Sequence, residues 1–272
     1  ILESASSLSL TESPLLQMIW LGSRPIPNWY FSNLKSLTVD RCRFLSDVVL
    51  PFYVLPFLTH LQKLKVRNCG SVKSIFDVKR EITTMELGAA PFPLRFALKE
   101  LTLINLPKLE NVLNEDPHGI LSVQLLKHVI VEKCNCLLYL FTSSTAKSLT
   151  RLERMEIKLC VSIEEVVSKE GDESHENEIT FKQLNCLKLE ELRKLRSFYR
   201  GSLLSLPSLE ELSVIDCEWM ETLCPGTLKA DKLLQVKLEE DRYDDKYRKR
   251  RSGAIKLETD LNSTMREAFV TK

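Results

Sequence analysis

Glycine and histidine are scarce in this chain, at 8 and 4 of 272 residues. No GxxxxGK[ST] phosphate loop occurs, and no GxGxxG, so the turns that let backbone amides cradle a nucleotide are missing. There is no GxSxG elbow and no HExxH pair. The four histidines, His60, His118, His128 and His175, fall at unrelated places in the sequence pattern. No Cys–His pair or histidine metal site is therefore specified, and the chain reads as non-catalytic. Charge of either sign is not in excess: 38 Lys and Arg against 37 Asp and Glu leave +1. No global field draws the chain to nucleic acid or to a membrane surface.

Long apolar runs are also missing. The longest, Leu45 to Leu61, is broken by Asp47, Pro51, Pro56 and His60. A membrane helix needs about twenty largely apolar residues, so this stretch reads as a connection burying Phe52, Val54 and Phe57. No secretory leader is visible. The eight cysteines lack paired flanking caps, and Cys134-Asn-Cys136 near His128 lacks the spacing of a zinc site. Disulfides are unusual in a reducing compartment, and this usage points to an intracellular chain in which the sequon Asn262-Ser-Thr264 carries no meaning.

What is abundant is one pattern. Leu61-Gln-Lys-Leu64-Lys-Val66-Arg-Asn-Cys69-Gly-Ser-Val72-Lys-Ser-Ile75 recurs, with copies starting at Leu34, Leu61, Leu98, Leu126, Leu152, Leu184, Leu209 and Leu233. The steps between those residues are 27, 37, 28, 26, 32, 25 and 24. Self-similarity at this period marks a leucine-rich-repeat array. In Leu64-Lys65-Val66 alternate residues point to opposite faces, so a short strand buries Leu64 and Val66 and leaves Lys63, Lys65 and Arg67 outside. No copy buries its apolar side alone, and stacked copies share one continuous core. The expected class is α/β: a curved horseshoe solenoid with a parallel β-sheet on its concave face and an irregular or short helical convex side.

The copies are of two kinds. One has Cys after the strand, at Cys42, Cys69, Cys134, Cys160 and Cys217; the other has Leu, at Leu106 and Leu192. The five cysteines should stack as a buried column, since a thiol is small, apolar and only a weak hydrogen-bond donor. Leu8, Leu10, Pro14, Leu16 and Ile19 align with Leu101, Leu103, Pro107, Leu109 and Val112, so residues 1–30 form a partial ninth copy. The chain is expected to begin inside an array whose N-terminal cap lies upstream. The array should occupy 1–240 and a charged tail 241–272. Within that tail Leu261, Met265 and Phe269 share one helical face, and Asp260 caps the start of a helix that covers the array's end.

Two steps are long. One carries an insertion around Asp77 to Leu94; the other carries Lys169-Glu-Gly-Asp-Glu-Ser-His-Glu-Asn-Glu178, five carboxylates with no apolar anchor. The second reads as a surface loop, because its acids lack the register of a calcium loop. The basic run Arg242 to Arg251 reads as a solvated tail or a nuclear-import patch.

Beside the strand leucines, outward positions form columns. One runs Thr38, Lys65, Thr102, Ile130, Glu156, Lys188, Ser213, Lys237; the next runs Asp40, Arg67, Ile104, Glu132, Lys158, Glu190, Ile215, Glu239. Ile104, Ile130 and Ile215 are apolar where solvent is expected, and charge surrounds them. An apolar spot rimmed by charge has the makeup of a protein-binding patch. The candidate binding residues are Lys65, Arg67, Thr102, Ile104, Ile130, Glu132, Glu156, Lys158, Lys188, Glu190 and Ile215.

Copies like Leu64-Lys-Val-Arg-Asn-Cys69 alternate with copies like Leu103-Ile-Asn-Leu-Pro-Lys-Leu-Glu110. Together with Val131-Glu-Lys-Cys134 before Leu137-Leu-Tyr-Leu-Phe141, Ile163-Glu-Glu-Val-Val167 before an acidic stretch, and Asp260-Leu-Asn-Ser-Thr264, they resemble the repeat region of plant intracellular immune receptors. The class is that of coiled-coil nucleotide-binding leucine-rich-repeat disease-resistance proteins, and the resemblance spans nearly the whole chain. It implies recognition of a pathogen effector or a guarded host protein, and contact with the receptor's own nucleotide-binding module, which it helps hold inactive. It implies a cytoplasmic or nuclear location. It also implies no cofactor in this chain, since ATP or ADP would belong to the nucleotide-binding module. Cys42-Arg-Phe-Leu-Ser-Asp47 also resembles the Cys-x-x-Ile-Thr-Asp pattern of F-box-type substrate adaptors of ubiquitin ligases, the alternative reading.

Overall fold

In each copy an apolar-x-apolar alternation, such as Leu64-x-Val66 or Leu101-x-Leu103, forms a five- or six-residue strand, and within each unit the strands of successive copies pair in parallel. The computed structural model describes residues 6–13, 31–43, 45, 47–77, 94–113, 121–169, 178–240, 251–256 and 261–263. The chain divides into two compact units, Ile1–Leu137 and Leu138–Lys272. The first holds β1 (Ser7–Thr11), β2 (Ser36–Asp40), β3 (Lys63–Arg67), β4 (Glu100–Ile104) and β5 (His128–Glu132), each parallel to the next. In the second, β6 (Arg154–Lys158), β7 (Cys186–Glu190), β8 (Glu211–Ile215) and β9 (Gln235–Glu240) pair likewise. Both units are leucine-rich-repeat solenoids.

The inward side chains make each core. Leu64, Val66, Leu101, Leu103, Val129 and Val131 in the first unit, and Met155, Ile157, Leu187, Leu189, Leu212 and Val214 in the second, are all buried. So is the first leucine of each of the eight full copies, from Leu34 to Leu233. At roughly 2 kcal/mol for each large aliphatic side chain removed from water, these repeated positions supply the main drive for stacking.

After each of β1 to β8 the backbone turns through the left-handed region. Glu12, Arg41, Asn68, Asn105, Lys133, Leu159, Glu191 and Asp216 have φ between 52 and 57°. The amide of that residue still extends the ladder: Asn68 N donates to the Ile104 carbonyl (3.0 Å) and Leu159 N to the Glu190 carbonyl (3.0 Å). The next residue then drops inward. Cys42, Cys69, Cys134, Cys160 and Cys217 occupy this place, as do Leu106 and Leu192, and all are at most 1 % exposed. Each of the five thiols donates to the carbonyl two residues back, at 3.1 Å for Cys69 and 3.1–3.6 Å overall. The column is therefore a stack of capped turns.

The far side of each unit has the expected short helical pieces. A 3-10 turn spans Phe52–Phe57, and α1 spans Ser143–Ser148, its N-terminus capped by Thr142. Short parallel ladders stand beside them: Val48–Pro51, Ser74–Asp77 and Asn111–Leu113 in the first unit, and two further three-stranded ladders in the second. In the 3-10 turn Val54 is buried as expected, but Phe57 is only half-buried, and Leu55 and Leu58 take the inward places. No helix among the described residues is long and apolar enough to cross a membrane.

The second unit ends in an element that the repeat does not contain. Strand β10 (Arg251–Lys256) runs antiparallel along β9, pairing backbone groups that would otherwise remain an open sheet edge. Residues 261–263 are helical. Leu261 is 6 % exposed, and Asn262 is fixed by Thr222 Oγ1 (2.6 Å) and by the carbonyls of Cys224 (2.8 Å) and Gly226 (3.3 Å). Gly226 suits this close packing, since a Cβ there would lie 2.2 Å from the Ser202 carbonyl. The Pro14–Ile19 segment, positions 78–93 of the insertion, positions 170–177 of the acidic stretch, positions 242–250 of the basic run, Met265 and Phe269 lie outside the described residues.

Candidate protein-binding face

Because side chains alternate along a strand, residues 1, 3 and 5 of each strand share the face opposite the core. The pairing registers align these positions across strands. In the first unit Thr38 stands opposite Lys65, Lys65 opposite Thr102, and Thr102 opposite Ile130; Asp40, Arg67, Ile104 and Glu132 follow in the next column. In the second unit Glu156, Lys188, Ser213 and Lys237 align, as do Lys158, Glu190 and Ile215. All eleven candidate residues thus lie on strand faces, with Lys65, Arg67, Thr102, Ile104, Ile130 and Glu132 in the first unit and Glu156, Lys158, Lys188, Glu190 and Ile215 in the second. A further column begins each strand: Ser36, Lys63, Glu100 and His128 in one unit, Arg154, Cys186 and Glu211 in the other. The same side-chain alternation predicts this column, which lies outside the eleven candidates.

On the first unit's face, cations and carboxylates pair across strands. Arg67 holds Asp40 (2.8 Å), which is only 8 % exposed, and Lys63 meets Glu100 (2.8 Å). Asp40 also accepts from Asn68 Nδ2 (2.8 Å), whose Oδ1 accepts from Asn105 Nδ2 (2.9 Å). A polar ladder therefore follows the left-handed turns. Ile104 and Ile130 are half-buried within this frame.

The second unit's face is a linked network. Arg154 pairs with Glu156, Lys158 bridges Glu156 (3.5 Å) and Glu190 (3.1 Å), and Lys188 meets Glu211 (2.7 Å). Burial pushes the Glu156 carboxyl up, but the Arg154 hydrogen bond and the charges of Arg154, Lys158 and Lys188 outweigh it and hold the group below its ordinary value. The Lys188 and Cys186 hydrogen bonds hold Glu211 down. Cys186 donates to Glu211 Oε2 (3.0 Å), and burial, aided by that bond, raises its thiol to about 12.

These contacts correct one expectation. Outward positions on a strand are expected to face solvent freely, yet the Glu156 side chain is 14 % exposed and Ser213 is 2 % exposed. Long charged side chains lie across the sheet and cover one another. Charge reversal at Lys158 would therefore set it against Glu156 and Glu190 and would cost stability as well as altering the surface. Among the described residues no group of three His, Cys, Asp or Glu is placed to hold a metal.

The family model for leucine-rich repeats of RPS2-like plant disease resistance proteins matches residues 4–161 and 148–240. No curated protein matches the chain.

Proposed function

We propose, from the premise that this chain belongs to the RPS2-like leucine-rich-repeat family of plant disease resistance proteins, that its strand faces bind pathogen effectors or the host proteins those effectors alter. The observation that carries the reading is the diagonal placement of half-buried Ile104 and Ile130 on adjacent strands in a frame of cross-strand ion pairs. Apolar anchors within a polar rim concentrate binding energy, and charges already paired lose little freedom when a partner arrives. The same repeats help hold the receptor's nucleotide-binding module inactive. ATP or ADP binds to that module and not to this chain, which does no chemistry of its own and works in the cytoplasm or nucleus.

The test is a recognition assay on full-length receptor at matched expression. Ile104→Glu and Ile130→Glu should abolish the response while leaving the repeat region folded. If both variants respond normally while substitutions on the far side of the repeats abolish the response, the binding surface lies elsewhere.

A further inference from the structure

On the first unit's face, strand β3 presents three cations in a row, Lys63, Lys65 and Arg67. The charged groups facing them are Asp40 on β2, Glu100 on β4 and Glu132 on β5. Asp40 is taken by Arg67 and Glu100 by Lys63, both at 2.8 Å, and Glu132 lies 3.4 Å from Lys133. The pairing leaves Lys65 over, half-buried and without a carboxylate among the described residues. Its register neighbours are Thr38 and Thr102. Both threonines are half-buried and stand on the two strands that flank β3, at the ordinary strand spacing of about 4.8 Å. Beyond Thr102 in the same row lies Ile130, and Ile104 follows Thr102 two residues along β4.

We infer that this row, Thr38–Lys65–Thr102 with Ile104 and Ile130 beside it, is a subsite for one carboxylate side chain of a partner protein followed closely by an aliphatic or aromatic side chain. A lysine flanked in register by two threonines supplies an ammonium and two hydroxyls as donors that a carboxylate accepts. The isoleucines supply the apolar contact next to it. The occupant is a carboxylate and not a phosphorylated residue: a dianionic phosphate favours a guanidinium fork, and the guanidinium of this face, Arg67, is turned to Asp40. The assignment rests on the reading that this face binds partners, and it names the chemistry that the face selects.

The experiment is a selection of random dodecapeptides displayed on phage against the immobilised 272-residue chain. Lys65→Glu and Ile130→Asp variants with unchanged melting temperatures are selected in parallel. Peptides retained by the wild type should be enriched in Asp or Glu next to Leu, Ile or Phe. Lys65→Glu should weaken the best acidic peptide at least about tenfold, the loss of one charge-assisted contact. It should also shift the enriched residue towards Lys or Arg, and Ile130→Asp should abolish both sets. Peptides without acidic enrichment, or the same peptides on Lys65→Glu, overturn the carboxylate subsite. If Ile130→Asp still abolishes that selection, the face itself remains the binding surface. Retention unaffected by either variant, or no enrichment on the wild type, overturns both readings.

Discussion

The cysteine column makes a quantitative prediction about thiol chemistry. All eight cysteines are free, seven are buried, and Cys136 is exposed on a turn. Two effects protect the seven. The first is access, since Cys69, Cys134 and Cys160 have no exposed surface at all. The second, at Cys69, Cys186 and Cys224, is ionisation, because burial raises these thiols and the thiolate is the reacting species. Burial raises Cys69 from 9.0 to about 11 and Cys186 from 9.0 to about 12. At pH 8 that lowers their thiolate populations by about a hundredfold and about a thousandfold. Added to a disulfide reagent such as dithiobis-nitrobenzoate, the native chain should release one equivalent of thiolate chromophore quickly. The other seven should appear only after denaturant unfolds the protein, at the unfolding rate. Mass spectrometry of the first product should locate the label at Cys136. Rapid native labelling at the five turn cysteines would refute the buried-turn account, and with it the reason for Cys at this offset.

Other outcomes follow from single contacts. Cys160→Arg should lower stability by more than about 4 kcal/mol by burying an unpaired charge. Cys160→Ala should cost only about 1 kcal/mol; equal costs by urea denaturation would show that the turn is open to water. Asn262→Ala removes the bonds to Thr222, Cys224 and Gly226 and should cost about 1–3 kcal/mol. An unchanged denaturation midpoint would show that the segment does not hold the repeats. Glu156 and Glu211 both have depressed folded values, so their contribution is full above the ordinary carboxylate range and is lost as pH falls from there through those depressed values. Glu211 is half exposed, so solvent screening keeps its share below about 1 kcal/mol. Replacing both by Gln should flatten the decline in melting temperature below pH 4.5, and an identical acid limb in the variant would contradict the network.

Much of the fold was legible because its causes are local. A Leu-x-Val triplet sets a strand by side-chain alternation alone, and a fixed offset to Cys or Leu sets where the chain turns back into the core. The columns of the strand faces followed from copying one offset through eight copies. The turns were less legible. Asn68, Asn105 and Asp216 are residue types that accept positive φ, but Arg41, Lys133 and above all Leu159 are not. Nothing in their own sequence announces that conformation; the ladder bond on one side and the buried Cys on the other impose it.

The sequence by itself therefore determined the repeat, its period, the buried side of every strand and the chemistry of each column. Only the tertiary structure decided which charges meet. Asp40 and Arg67 are 27 residues apart, and Lys188 and Glu211 become partners through strand register. That left Lys65, in register between two threonines, without a carboxylate among the described residues, and half-buried Glu156 among its neighbours. It also placed β10 against β9 and Asn262 beneath Cys224, contacts between segments that share no repeat offset. The physical reason is range: alternation acts over two residues, whereas pairing depends on how copies 24 to 37 residues apart stack, which no single copy encodes.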